Sequence, residues 1–289
     1  MKLTSHPTAT EFLAVVEGPL MHNEARNNLI LGIAGRVRDG RRYGDDPPLF
    51  LTLAAAGKLV VAAIRTPPYL LIVHCEDGRV EALDLAIDHL MTVDPHLPGV
   101  NGEADVAGAF ARRWTSRVPV RADLERAMRI YVLYRVARPV GVPGRMRPAR
   151  EEDIDLLADW MEGFQREAVP GDPPSDPRRV VRRFLDTGTL VLWDDGGPVS
   201  MAGSSRGSEH GAAVSAVYTP PERRRNGYAS ACVAGLSQLM LDRGNAFCTL
   251  YTDLANATSN KIYQRIGYRP VCDAASYRFV PTGSEVGEG

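Results

Sequence analysis

The sequence predicts a mixed α/β fold made of two mixed β-sheets flanked by helices, the C-terminal one complete. Three observations carry this expectation. In the second half, helical and strand-like periodicities follow one another in the order ααβββαβαββ. The first half gives a similar order, less distinctly. Between them, residues 139–150 (PVGVPGRMRPAR) concentrate proline and glycine between a strand-like run and a helix-like one. A chain of 289 residues is of ordinary length for two domains. The expected division is 1–140 and 141–289.

In the first half, TATEFLAVVEGPL and NEARNNLILGIAGRVRDG read as helices. PLFLTLAAAGKLVVAAIRTPPYLLIVHCE reads as three strands, the first two turning at Gly57-Lys58. GRVEALDLAIDHLM and ADVAGAFARRWTSR read as helices, and MRIYVLYRV as a strand. In the second half, REEDIDLLADWMEGFQREA places Ile154, Leu157, Trp160, Met161 and Phe164 on one helical face. PRRVVRRFLDTG is a second, short helix. TLVLWDDGGPVSMAGSSRG is a hairpin around Asp-Asp-Gly-Gly, and GAAVSAVYT a further strand. A helix then runs from Gly227 to a closing glycine, Gly244. AFCTLYTDL is a strand, TSNKIYQRIG a short helix closed by Gly267, and YRPV and SYRFV two short final strands.

Composition excludes several classes of function. Hydrophobic content of 44% and charged content of 24% are those of an ordinary globular protein. A formal net charge of -1 provides no global field for nucleic acid or an anionic membrane, so neither is an expected partner. No stretch approaches the length of a transmembrane helix, and the N-terminus shows no signal-peptide core. Cys75, Cys232, Cys248 and Cys272 have no CxxC spacing and read as buried thiols in a reducing cytoplasm. His74 and His210 belong to no pair with metal-ligand spacing, so no metal is expected.

The informative stretch is VSAVYTPPERRRNGYASACVAGL. A strand delivers the chain to a loop, and the loop feeds a helix at Gly227. The first N–H groups of a helix have no internal partner and lie at the positive end of its dipole, which makes a ready anion site. Gly227 lets the backbone approach a phosphate without a Cβ in the way, and Ala229 keeps the next turn slim.

The spacing Arg224-x-x-Gly227-x-Ala229 resembles the R/Q-x-x-G-x-G/A signature of the GNAT superfamily of N-acetyltransferases. A second block, DLANATSNKIYQRIGYRPV, resembles another of that family's motifs through Asn256, Ser259, Asn260, Tyr263, Gly267 and Tyr268. The resemblance covers residues 145 to 280. It implies acetyl coenzyme A as cosubstrate and two central parallel strands, near Ala212–Tyr218 and Phe247–Tyr251, that splay apart to admit it.

The cofactor-binding set implied is Val217, Tyr218 and Thr219 for the pantetheine arm and thioester, and Arg224, Arg225, Asn226, Gly227, Tyr228, Ala229 and Ser230 for the diphosphate. Asn256, Ser259, Asn260 and Tyr263 complete it. Tyr263 matches the family's general acid, which protonates the leaving thiolate. For the base, Glu167 is the first candidate, with Glu162, Asp253 or a chain of waters as alternatives.

The first half has no such pattern. In VHCEDGRVEALDL, Gly78 stands alone, and Glu76 and Asp77 occupy the place a phosphate would approach. The expectation is a degenerate half without cofactor, the alternative an unrelated accessory domain. The expected partner is a small-molecule amine, with a homodimer as an option, and the expected location cytoplasmic. Alternative functions are transfer of a longer acyl group, a protein amine as acceptor, or a non-enzymatic acyl coenzyme A sensor.

Overall fold

The computed structural model of the chain describes residues 1–205 and 207–282. Its elements in the first half are β1 (Lys2–Ser5), α1 (Ala9–Met21), α2 (Glu24–Arg38), β2 (Leu49–Ala55), β3 (Lys58–Arg65), β4 (Leu71–Cys75), α3 (Leu83–Val93), β5 (Gly99–Glu103), α4 (Ala104–Thr115) and β6 (Val120–Leu133). The second half holds β7 (Arg145–Pro148), α5 (Ile154–Ala168), α6 (Pro177–Asp186), β8 (Leu190–Asp194), β9 (Pro198–Ser205), β10 (Gly211–Tyr218), α7 (Tyr228–Asp242), β11 (Phe247–Asp253), α8 (Ala257–Ile266) and β12 (Arg269–Pro281). The fold is mixed α/β, as the sequence predicts. The order βααβββαβαβ occurs twice.

Two compact units result. One is Met1–Arg129 with the segment from Cys272 onward, the other Ile130–Val271. The sequence places the divide at 140/141. The units instead divide within β6, because the proline- and glycine-rich stretch leads into β7 of the second unit and is no boundary of compactness. The last strand also differs from expectation. YRPV and SYRFV lie on one continuous β12, whose residues 272–281 belong to the first unit. The expected second domain extends to 289, and residues 283–289 lie outside those described.

In the first unit the strand order is β1-β2-β3-β4-β5, then residues 272–281 of β12, then the first part of β6. β4 and β5 pair in parallel, while β1–β2, β2–β3, β3–β4 and β5–β12 pair antiparallel. From Val61 to Ile64 successive residues of β3 point to opposite faces. Val61 joins Leu53, Val73, Ile87, Phe110 and Trp114 under α3 and α4, while Ala62 joins Phe12, Val16, Leu20, Ile30 and Phe50 under α1 and α2. A strand covered on both sides is apolar without alternation, which explains KLVVAAIR.

The second unit repeats the plan, with β11-β10-β9-β8-β7 beside the last residues of β6. On one face Cys232, Val233, Leu236 and Met240 of α7 pack on Val191, Ala202, Val214 and Leu250. On the other, Ile154, Leu157 and Met161 of α5 and Val181 of α6 pack on Leu190, Leu192, Met201 and Ala216. Ile154, Leu157, Trp160 and Met161 are buried, as the helical periodicity requires, and Phe164 is half-buried.

Candidate active site

The parallel pair β10–β11 organises the site. Its ladder joins Gly211–Ala213 to Phe247–Thr249 and ends there, while β10 continues five residues further to Tyr218. Along that extension Ala216 takes a left-handed φ of 51°, and the register with β9 shifts between Ser215 and Tyr218. A non-glycine residue in that region costs about 1 kcal/mol or more, the signature of a β-bulge that re-aims the strand. Val217 and Tyr218 therefore lie on strand backbone that has left its ladder with β11, and Thr219 follows directly after the strand. Ser200 braces this end: its hydroxyl donates to the Tyr218 carbonyl (3.1 Å) and lies 2.8 Å from the Thr219 hydroxyl.

The chain then makes one turn at Pro221–Arg223 and enters α7 through Arg224, Arg225, Asn226 and Gly227. Arg225 and Gly227 both have positive φ, 68° and 83°. Asn226 Nδ2 donates to the carbonyls of Arg223 and Arg224, each at 3.2 Å, which turns those carbonyls inward. Gly227 is the N-cap of α7. No side chain caps that helix and its first turn holds no acid, so its leading N–H groups remain available to an anion. A Cβ at Gly227 would lie 2.9 Å from Val142 Cγ2. Ala229 and Ser230 stand in the first turn of α7. The Tyr228 side chain is engaged elsewhere, its hydroxyl donating to Asp195 (2.6 Å). The donor set fits a diphosphate: uncapped N–H groups, a glycine where the backbone must come close, and exposed Arg223 and Arg225.

Arg224 is engaged elsewhere. Its Nε donates to the Thr219 carbonyl (2.8 Å), its Nη2 to both carboxylate oxygens of Glu167 (3.0 and 2.8 Å), and its guanidinium lies 5.7 Å from the centre of the Tyr218 ring. Tyr218 in turn rests on α5, where a Cβ at Gly163 would be 2.6 Å from its hydroxyl oxygen.

The second block forms the start and body of α8. Asn256 Oδ1 accepts from the Ser259 N–H (3.0 Å), an N-cap. Asn260 donates to the carbonyls of Asp253 (2.9 Å) and Asn256 (2.8 Å) and accepts from the Tyr131 hydroxyl (3.0 Å). Asn256 thus caps α8, and Asn260 fastens it to the end of β11. Asp253 accepts from the Ala255 N–H (2.7 Å). Gly267 ends the helix at φ 111°, where a Cβ would meet the Arg135 carbonyl at 2.8 Å.

Tyr263 lies on this helix, edge-on to Tyr268 with ring centres 6.0 Å apart. Burial pushes its hydroxyl up to about 12, so it is protonated at neutral pH. Among the described residues that hydroxyl makes no hydrogen bond, and no contact joins it to Glu167. Cys232 and Cys248 are also pushed up to about 12 by burial, so neither is a thiolate nucleophile.

Sequence reasoning missed Tyr131, Gly163 and Ser200. Tyr131 is fully buried and meets Asn260 from a strand distant in sequence, so no local pattern marks it. Gly163 sits inside a helical run, where an isolated glycine is the one signal of a close approach.

The corresponding place in the first unit is built differently. The β4–β5 ladder joins Leu71–Val73 to Val100–Gly102, and β4 ends two residues later. The turn that follows carries Glu76, bonded to His74 (2.6 Å), and Asp77. The seventh residue of α4 is Phe110, fully buried and stacked on Trp114, where the seventh residue of α8 is Tyr263. Among the described residues no three His, Cys, Asp or Glu side chains are grouped to hold a metal ion, and no helix is long and apolar enough to cross a membrane.

A family model described as "Acetyltransferase (GNAT) family" matches residues 156–268. Among solved structures, the chain resembles a Drosophila protein (TM-score 0.69, 14% identity, 96% of this chain and 98% of that one). It also resembles a GCN5-related N-acetyltransferase from Sphaerobacter thermophilus (TM-score 0.62, 14% identity, 96% and 95%). A third is a tandem GNAT protein from the clavulanic acid biosynthesis pathway (TM-score 0.55, 12% identity, 98% and 99%). At these identities the likeness is one of fold. No curated protein matches the chain.

Proposed function

Residues 156–268 form a domain of the GNAT acetyltransferase family, and from that premise we propose that the chain is an acetyl coenzyme A-dependent N-acetyltransferase acting on a small primary amine by direct attack. The observation that carries this reading is the uncapped, acid-free start of α7 behind Gly227, fed by a strand that has left its parallel ladder. Acetyl coenzyme A supplies an activated thioester carbonyl and leaves as the free thiol. The α7 N–H groups with Arg223 and Arg225 bind the diphosphate, and the freed edge of β10 near Val217 and Thr219 aligns the pantetheine arm.

Tyr263 supplies the proton that the departing sulfur takes up as the new C–N bond forms and the C–S bond breaks. The incoming amine loses its own proton to water or to a carboxylate. Of the candidate carboxylates, only Glu162 has no partner among the described residues, since Glu167 holds Arg224 and Asp253 holds the Ala255 N–H. Direct attack accords with the two buried, protonated thiols of this unit, which offer no thiolate to carry the acetyl group. The first unit, with Glu76 and Asp77 in its loop and Phe110 in place of a phenol, is a degenerate half without cofactor.

A panel of primary amines incubated with acetyl coenzyme A, read by release of free thiol, tests the activity. Release with at least one small amine is expected. Coenzyme A binding with no release on any amine contradicts catalysis and favours a sensor.

A further inference from the structure

We propose that Glu167 acts as a positioning residue: with Arg224 it forms a strut that ties the cofactor loop to α5, leaving Arg223 and Arg225 to meet the phosphate charge. This rests on the acetyl coenzyme A reading above.

Gly163 and Glu167 are four residues apart in α5 and so share one face. Each receives one part of the cofactor segment. Gly163 makes room for the Tyr218 hydroxyl, and Glu167 takes the Arg224 guanidinium with both carboxylate oxygens. Arg224 lies over the Tyr218 ring and holds the Thr219 carbonyl. The last two turns of α5, the end of β10 and the approach to α7 are thereby joined through one guanidinium.

This arrangement reassigns two residues. A carboxylate whose two oxygens already accept from a guanidinium must surrender that pair to take a proton from an amine, so Glu167 is poorly placed as a base. An arginine spent on a carbonyl, a carboxylate and an aromatic face is likewise poorly placed to reach a phosphate. Arg223 and Arg225 are exposed, and among the described residues their guanidinium groups make no hydrogen bond or ion pair. The residue at the signature position therefore works by shaping the loop, and its neighbours supply the charge.

The test is a double-mutant cycle on coenzyme A affinity by calorimetry, with Glu167→Ala, Arg224→Ala and the double variant. An exposed ion pair contributes up to about 1 kcal/mol, so each single change is expected to weaken binding by up to about fivefold. The double variant should be no weaker than the weaker single, because both remove the same strut. Multiplying effects, or a large loss with Arg224→Ala and none with Glu167→Ala, would overturn the strut. Wild-type protein that fails to bind coenzyme A would instead overturn the cofactor reading, and the strut with it. With the amine found by the panel, Glu167→Gln should lower kcat less than about tenfold and leave its pH profile in place. A loss of about 100-fold or more with the ascending limb removed is the mark of a general base and would also overturn the proposal.

Discussion

Tyr263 and Gly227 carry the most local claims, and each has a direct test. The phenol of Tyr263 is protonated at neutral pH and spends its proton on no other described residue. Tyr263→Phe should lower kcat by about 100-fold or more, the usual contribution of a positioned acid, with little change in coenzyme A affinity. Unchanged kcat would remove Tyr263 from the reaction. Gly227 combines a left-handed φ with a neighbour 2.9 Å from its would-be Cβ. Gly227→Val should abolish coenzyme A binding while the circular dichroism spectrum stays that of a folded protein. Retained binding would mean that the phosphate loop lies elsewhere. Gly227 was legible in the sequence because Asn-Gly after a polar run announces a turn. The partner of Arg224 was not, because its fork could serve a phosphate or a carboxylate equally well until Glu167 was seen beside it.

At the scale of elements, the site depends on how α5 is fixed to the sheet. Arg147 of β7 donates to both oxygens of Asp153 (2.7 and 2.8 Å) at the head of α5 and to Asp194 of β8 (3.0 Å). Asp153 is buried, and the Arg147 guanidinium holds its carboxyl below the usual carboxylate range. A depressed carboxyl contributes stability that is full above its unfolded value, about 3.9, and lost as pH falls through the lower folded value. The melting temperature should therefore fall on acidification below about pH 4, and Asp153→Asn should flatten that fall while lowering stability at pH 7. An unaltered acid limb in the variant would assign the loss to other groups. The helices and the β2–β3 and β8–β9 hairpins were readable because each has its own period or turn. Three strands, β1, β5 and β7, were not. Gly99–Glu103 holds two glycines and only one fully buried large side chain, Val100, and its pairing with β4 and β12 is settled far along the chain.

For the molecule as a whole, the repeated order of elements was readable, since it needs only local patterns in each half. The assignment of β12 was not. Its residues 272–281 complete the first unit, where Phe279 stacks on Trp114 at 5.7 Å, a contact no local pattern encodes. The two units share an order of elements but differ where it matters for chemistry: the length of strand beyond the parallel ladder, the charge of the following turn, and Tyr263 against Phe110. A single working site per chain is the central claim. Calorimetric titration of the full chain with coenzyme A tests it most directly. One molecule bound per chain, lost in Gly227→Val, is the expected result, and two sites of similar affinity, or none, would contradict it.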